Sequence, residues 1–123
     1  MTTITVYALP GGAVKGFEAV GHAGGRRSGE YDLVCSAISA LTQTGVNALC
    51  AVAGITPDVT VRDGYLRCVV PDADQASESA QTVLRTVLQG LKDVEQGYPK
   101  HLRIRHQEWR QADAYDESSA LRA

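Results

Sequence analysis

The sequence is short of aromatic residues (6%), with one tryptophan, one phenylalanine and one methionine. Binders of single-stranded RNA stack bases on interleaved aromatics, so this scarcity counts against such a role. Cysteine is scarce too. Cys35, Cys50 and Cys68 form no CxxC and leave one thiol over after any pairing, which fits a reducing cytosol better than a secreted disulfide scaffold. Together with His22, His101 and His106 they lack the four-ligand spacing of structural zinc, so no metal and no cofactor are expected. No charge sign dominates either. The 12 Lys and Arg against 14 Asp and Glu give a formal charge of −2, too balanced for a dedicated nucleic-acid or polybasic membrane binder. Apolar runs fall short of the ~18 residues of a bilayer span, and MTTITVYALP lacks the basic start of a signal peptide. These absences point to a cytoplasmic protein without membrane or direct nucleic-acid partners.

What is present suffices for one core: 123 residues, 44% of them hydrophobic, in a single domain over residues 1–110 with a polar, frayed tail over 111–123. Ile4, Val6 and Ala8 alternate with Thr5, Tyr7 and Leu9, and a second short strand runs through Phe17, Ala19 and Val20 after Pro10-Gly11-Gly12. His22 to Tyr31 is glycine-rich and almost without apolar residues, which reads as a loop. Behind Asp32, an N-cap candidate, Val34, Ala37, Ile38 and Leu41, then Ala48, Leu49 and Val52, recur at helical steps toward a stop at Gly54 and Pro57. Apolar on most sides, this helix is expected to sit centrally against a sheet. Asp63-Gly64, suited to a type I′ turn, joins Val59–Arg62 to Tyr65–Val70. A second helix carries the stripe Ala80, Val83, Leu84, Val87, Leu88, Leu91 and Val94, with Ser77 or Ser79 near its start, and Gly97-Tyr98-Pro99 ends it before a last strand around Leu102 and Ile104. Strand, strand, helix, strand, strand, helix, strand predicts an α+β two-layer sandwich, with helices on one face of a mixed or antiparallel sheet.

Cys35 follows the presumed cap closely, where unpaired N–H groups and the helix dipole favour the thiolate, the nucleophilic form. His22 closes the preceding strand, and the loop between them permits a Cys–His approach. Asp32 either caps the helix, orients the imidazole, or does both. Ser39, one turn beyond Cys35, shares its helix face. From the residues alone the bland reading stays open, since a cysteine in an apolar helix is commonly a small buried hydrophobe, as suits Cys50 and Cys68.

Gly21-His22-Ala23, then Gly29, Asp32, Val34-Cys35, Ala37, Ser39-Ala40-Leu41 and Asn47-Ala48-Leu49 resemble the signature of the ribosomal-processing cysteine protease family, Prp. The resemblance extends over roughly residues 3 to 107. It implies a cysteine endopeptidase that removes the N-terminal extension of a large-subunit ribosomal protein, cutting after an aromatic residue. His22 matches the general base, Cys35 the nucleophile, and Asp32 and Ser39 supporting polar positions. It also implies a homodimer and a substrate loop, here Gly21, Gly24, Gly25, Arg26, Arg27 and Gly29, that orders around the peptide. The chain departs from the pattern in having both Glu30 and Tyr31 between Gly29 and Asp32 and in its two loop arginines, which either support the thiolate or are simply solvated. The rival class is a non-catalytic ribosome- or RNA-associated module, suggested by Lys100, His101, Arg103, Arg105 and Arg110 around the last strand. A solvated edge strand explains the same charges.

Overall fold

The computed structural model describes residues 1–21 and 29–110, and residues 30–32 by their backbone. The elements are β1 (Thr2–Ala8), β2 (Val14–Val20), α1 (Gly29–Ala51), β3 (Asp58–Arg62), β4 (Tyr65–Val69), α2 (Glu78–Gly97) and β5 (Leu102–Glu108), with a 3-10 turn at Asp72–Asp74. The order is the one the sequence predicts. One five-stranded sheet runs β3-β4-β2-β1-β5, antiparallel except where β5 lies parallel to β1, so the sheet is mixed.

Side-chain parity explains which face the helices cover. Ile4 lies opposite Ala19 and Ile104, and Val6 opposite Phe17, which in turn faces Cys68. These residues form the helix-side face, where Ile4, Val6, Phe17, Cys68 and Leu102 are buried in one core with Ala80, Val83, Leu84, Val87, Leu88 and Leu91 of α2. Ser77 caps α2, its hydroxyl accepting the Ala80 N–H at 3.1 Å. The two helices cross closely because a Cβ on Gly45 would come within 3.0 Å of Val87, and one on Gly90 within 2.7 Å of Leu41. Gly45 therefore offsets its poor helix propensity through packing.

Three sequence expectations are corrected. α1 is not a central helix: only 28% of its apolar stretch Leu33–Ala51 is buried, and Val52 just beyond it is 72% exposed. That stretch is long and apolar enough to cross a membrane by length and composition, yet here it is an outer layer that buries Val34, Ile38 and Leu49. Cys50, read as core, is exposed, because the adjacent Leu49, fully buried, takes the core-facing position on that turn of α1. The β3–β4 turn is not type I′, which needs positive φ at both central residues. Only Gly64 (φ 70°) has it, and Asp63 does not, the pattern of type II.

Among the described residues no helix covers the opposite face, which is closed by polar and aromatic groups. Arg67, buried, lies 5.1 Å from the Tyr7 ring and 5.6 Å from that of Trp109, and the two rings meet edge to face at 5.3 Å. Lys15 is buried nearby, with its ammonium donating to Asp72 Oδ1 at 2.6 Å and Gln75 Oε1 at 3.0 Å. The bond from Lys15 holds the Asp72 carboxyl below its ordinary value. A depressed carboxylate contributes stability above the unfolded pKa, and that contribution is lost as pH falls through the folded value. Asp72→Asn is therefore expected to lower Tm at pH 7, and the gap from wild type should narrow as the pH is taken below the ordinary carboxylate range, checked by thermal denaturation across that range.

Candidate active-site cleft

Between α1 and the β3–β4 hairpin lies a cavity of about 430 Å³. One wall is the flank of α1 carrying Cys35, Ser39, Thr42 and Gln43, and the other is the hairpin tip from Val61 to Leu66, with Thr2, Ala19, Gly21 and Ile38 completing the lining. Cys35 is half-buried and Ser39 exposed. Thr42 faces inward and donates its hydroxyl to the Ile38 carbonyl at 2.9 Å, so the cleft wall has no unpaired polar group at that point.

Gly21, the residue before His22, is fixed from three directions. Its N–H donates to the Gly64 carbonyl at the hairpin tip (2.9 Å), and its carbonyl accepts the Thr2 hydroxyl at 3.4 Å. Its φ of 102° is a region that side chains rarely adopt, and a Cβ there would lie 2.5 Å from the Met1 carbonyl oxygen. The glycine of the Gly21-His22-Ala23 motif is thus required by both conformation and space.

Of the residues singled out from sequence, the structure brings Cys35, Ser39 and Gly21 into one cleft. Gly29 opens α1. Asp32 lies inside α1 rather than at its cap, because the helix begins at Gly29 rather than at Leu33, where the cap preference would start it. Cys35 consequently sits in the second turn, its own N–H engaged within the helix, and the unpaired donors are those of the first turn. His22, Gly24, Gly25, Arg26, Arg27 and the tail lie outside the described residues. Sequence reading missed Thr2, Gln43 and the hairpin as cleft residues. The Asp63-Gly64 turn was visible, but its place beside Cys35 depends on β4 pairing with β2, which alternation does not encode.

Tyr65 on the rim donates its hydroxyl to Glu18 Oε2 at 3.0 Å. Burial, then the Glu18 carboxylate, raise its pKa above the ordinary phenol value, so it remains a neutral donor through the physiological range. Burial likewise pushes the Cys68 thiol up to about 12, with smaller contributions from Cys50 and Asp58. Iodoacetamide at pH 8 is expected to modify Cys50 in the folded protein and to leave Cys68 untouched until denaturant is added, read by peptide mass spectrometry. Among the described residues, no group of three or more His, Cys, Asp or Glu side chains is placed to hold a metal ion.

The sequence profile of the cysteine protease Prp family matches residues 1–103. The chain belongs to the Prp family of cysteine proteases. The ribosomal processing cysteine protease Prp of Bacillus subtilis is 32% identical over 92 residues, covering 72% of this chain and 81% of the relative. That of Staphylococcus aureus is 29% identical over 108 residues, covering 86% and 99%. The crystal structure of the S. aureus Prp with a substrate peptide superposes with a TM-score of 0.79 at 27% identity, covering 87% of this chain and all of that one. A second S. aureus Prp structure, with a covalently linked product peptide, gives a TM-score of 0.78 at 28% identity. The α+β sandwich is therefore the Prp fold, and the cleft beside Cys35 lies within the matched region.

Proposed function

We propose that this Prp-family protease removes the N-terminal extension of a large-subunit ribosomal protein, cutting after an aromatic residue by Cys–His acyl transfer. The observation that carries the reading is the cleft, which holds the half-buried Cys35 together with Gly21, the fixed residue that precedes His22. In this mechanism His22 takes the Cys35 proton, and the thiolate attacks the scissile carbonyl to form a tetrahedral intermediate. The amine leaves with the proton from His22, which gives a thioester. Water, deprotonated by His22, then hydrolyses the thioester and restores the thiol. The N–H groups of the first turn of α1, which have no intrahelical partner, are the donors assigned to the oxyanion. Asp32 and Ser39 support the pair, and Gly24, Gly25, Arg26 and Arg27 belong to the segment that meets the peptide. The relatives are named for ribosomal processing, and one is described with a substrate peptide and with a covalently linked product peptide, which supports both the substrate class and the covalent route.

The protease unit is residues 1–110, and the cytoplasm is where such a substrate would be met. The exposed apolar side of α1, with Leu33 59% exposed, supports a homodimer. The test is a cleavage assay read by mass spectrometry on a peptide spanning the extended N-terminus of the ribosomal protein from the same organism. A single cut after the aromatic residue is expected, absent in Cys35→Ala and in His22→Ala. An intact peptide with folded wild-type enzyme would reject the assignment.

A further inference from the structure

The β3 strand is one edge of the sheet, and the position of its unpaired backbone groups follows from the register. The two-residue turn makes Arg62 and Tyr65 a hydrogen-bonded pair, so along the ladder Thr60–Arg67 and Asp58–Val69 are bonded as well. Val61–Leu66 and Val59–Cys68 are the non-bonded pairs, which turns the N–H and C=O of Val59 and Val61 away from the sheet. Bonds on the far side of β4 show the same parity: Val70 donates to Lys15 and Gly64 accepts from Gly21, each at 2.9 Å. Among the described residues no backbone group pairs with Val59 or Val61 along this edge. The edge is also apolar on the helix side, where Val61 is 68% and Val59 40% exposed. Between the charged Asp58 and Arg62 at its ends, the strand carries no charge, lysine or proline to discourage pairing.

Val61 lines the same 430 Å³ cavity as Cys35. A strand laid along β3 therefore lies at the mouth of the cleft, with one set of alternate side chains directed toward the α1 wall and the apolar floor of Ala19, Ile38 and Leu66. We propose that β3 is the docking strand for the substrate, which binds as an extended sixth strand through the Val59 and Val61 backbone and inserts an apolar side chain into the cleft next to Cys35. The inference rests on the protease reading above and adds the binding mode and register: alternate residues are read by the cleft, and the intervening ones face the opposite side of the sheet.

Two measurements test it. In Cys35→Ala protein saturated with the ribosomal-protein peptide, amide exchange at Val59 and Val61 is expected to slow at least tenfold, with little change at Thr60, whose amide is already in the ladder. Val61→Pro removes only an outward N–H, a substitution an edge strand tolerates. It should remain folded and raise KM for the peptide by about tenfold or more, while Val61→Ala, which keeps the N–H, has the smaller effect. Peptide that is cut by wild type but leaves Val59 and Val61 exchanging freely, with Val61→Pro cleaving like wild type, would overturn the docking strand and leave the protease reading intact. Peptide that perturbs no amide and is never cut would overturn both.

Discussion

Replacing Cys35 with alanine is expected to lower kcat/KM for the extension peptide by at least about a thousandfold, because in the proposed mechanism it removes the atom that forms the acyl bond rather than a group that assists it. Cys35 is only half-buried at the edge of the cleft, so the loss of one sulfur should leave Tm within about 3 °C of wild type. Peptide binding by the alanine variant should persist, which separates chemistry from recognition. Cys35→Ser should fall close to the alanine variant, since a hydroxyl gives up its proton far less readily than a thiol to the same base. A Cys35→Ala enzyme that still cut at the same bond would remove Cys35 from the mechanism altogether. Mass spectrometry of the products decides between these outcomes.

The second large effect is expected at a residue with no reactive atoms. Gly21→Ala forces a side chain into φ near 102° and a Cβ to 2.5 Å from the Met1 carbonyl. Backbone strain of this kind costs about 1–3 kcal/mol, so Tm should drop by roughly 5–15 °C. Activity should fall further than stability explains. Gly21 is tied to the hairpin tip at Gly64 and to Thr2, and it leads directly into His22. A displacement of about 1 Å at a catalytic group can cost a hundredfold. The expected result is about a hundredfold lower kcat/KM at a temperature where the variant remains fully folded. Asp72→Asn, which weakens the protein away from the cleft, should retain wild-type kcat/KM under the same conditions. Equal activity losses in the two variants would mean that Gly21 matters only for stability.

How much of this was legible in the sequence depended on how local the cause was. The stripe on α2 and its Ser77 cap are short-range patterns, and both held in the structure. The Cys35–Ser39 pairing on one helix face was equally local. The start of α1 was misplaced because Asp32 is a good cap while Gly29 is a poor helix former, and neither preference outweighed the tertiary setting. The exposure of Cys50 was hidden because apolar periodicity shows that a helix is apolar without showing how many neighbours cover it. The buried face bearing Lys15, Arg67 and Trp109 was missed for the converse reason: these residues are polar or isolated in sequence and are covered only once Tyr7, Asp72 and Gln75 come together. The cleft itself required β4 to lie beside β2, a pairing between distant segments.

The parallel pairing of β1 with β5 also governs when a working enzyme exists. Thr2, whose hydroxyl supports Gly21, receives its outer backbone partner from His101, and the ladder then runs from Leu102 to Glu108, far along the chain from β1. On the ribosome Cys35 emerges early, but the strand that braces its cleft remains half-paired until the last strand has been synthesised and docked. Such end-to-end contacts form late and slowly in folding. The proposed nucleophile is thus carried through the synthesis of every later element before its cleft is braced, and the site is complete only once β5 docks beside β1.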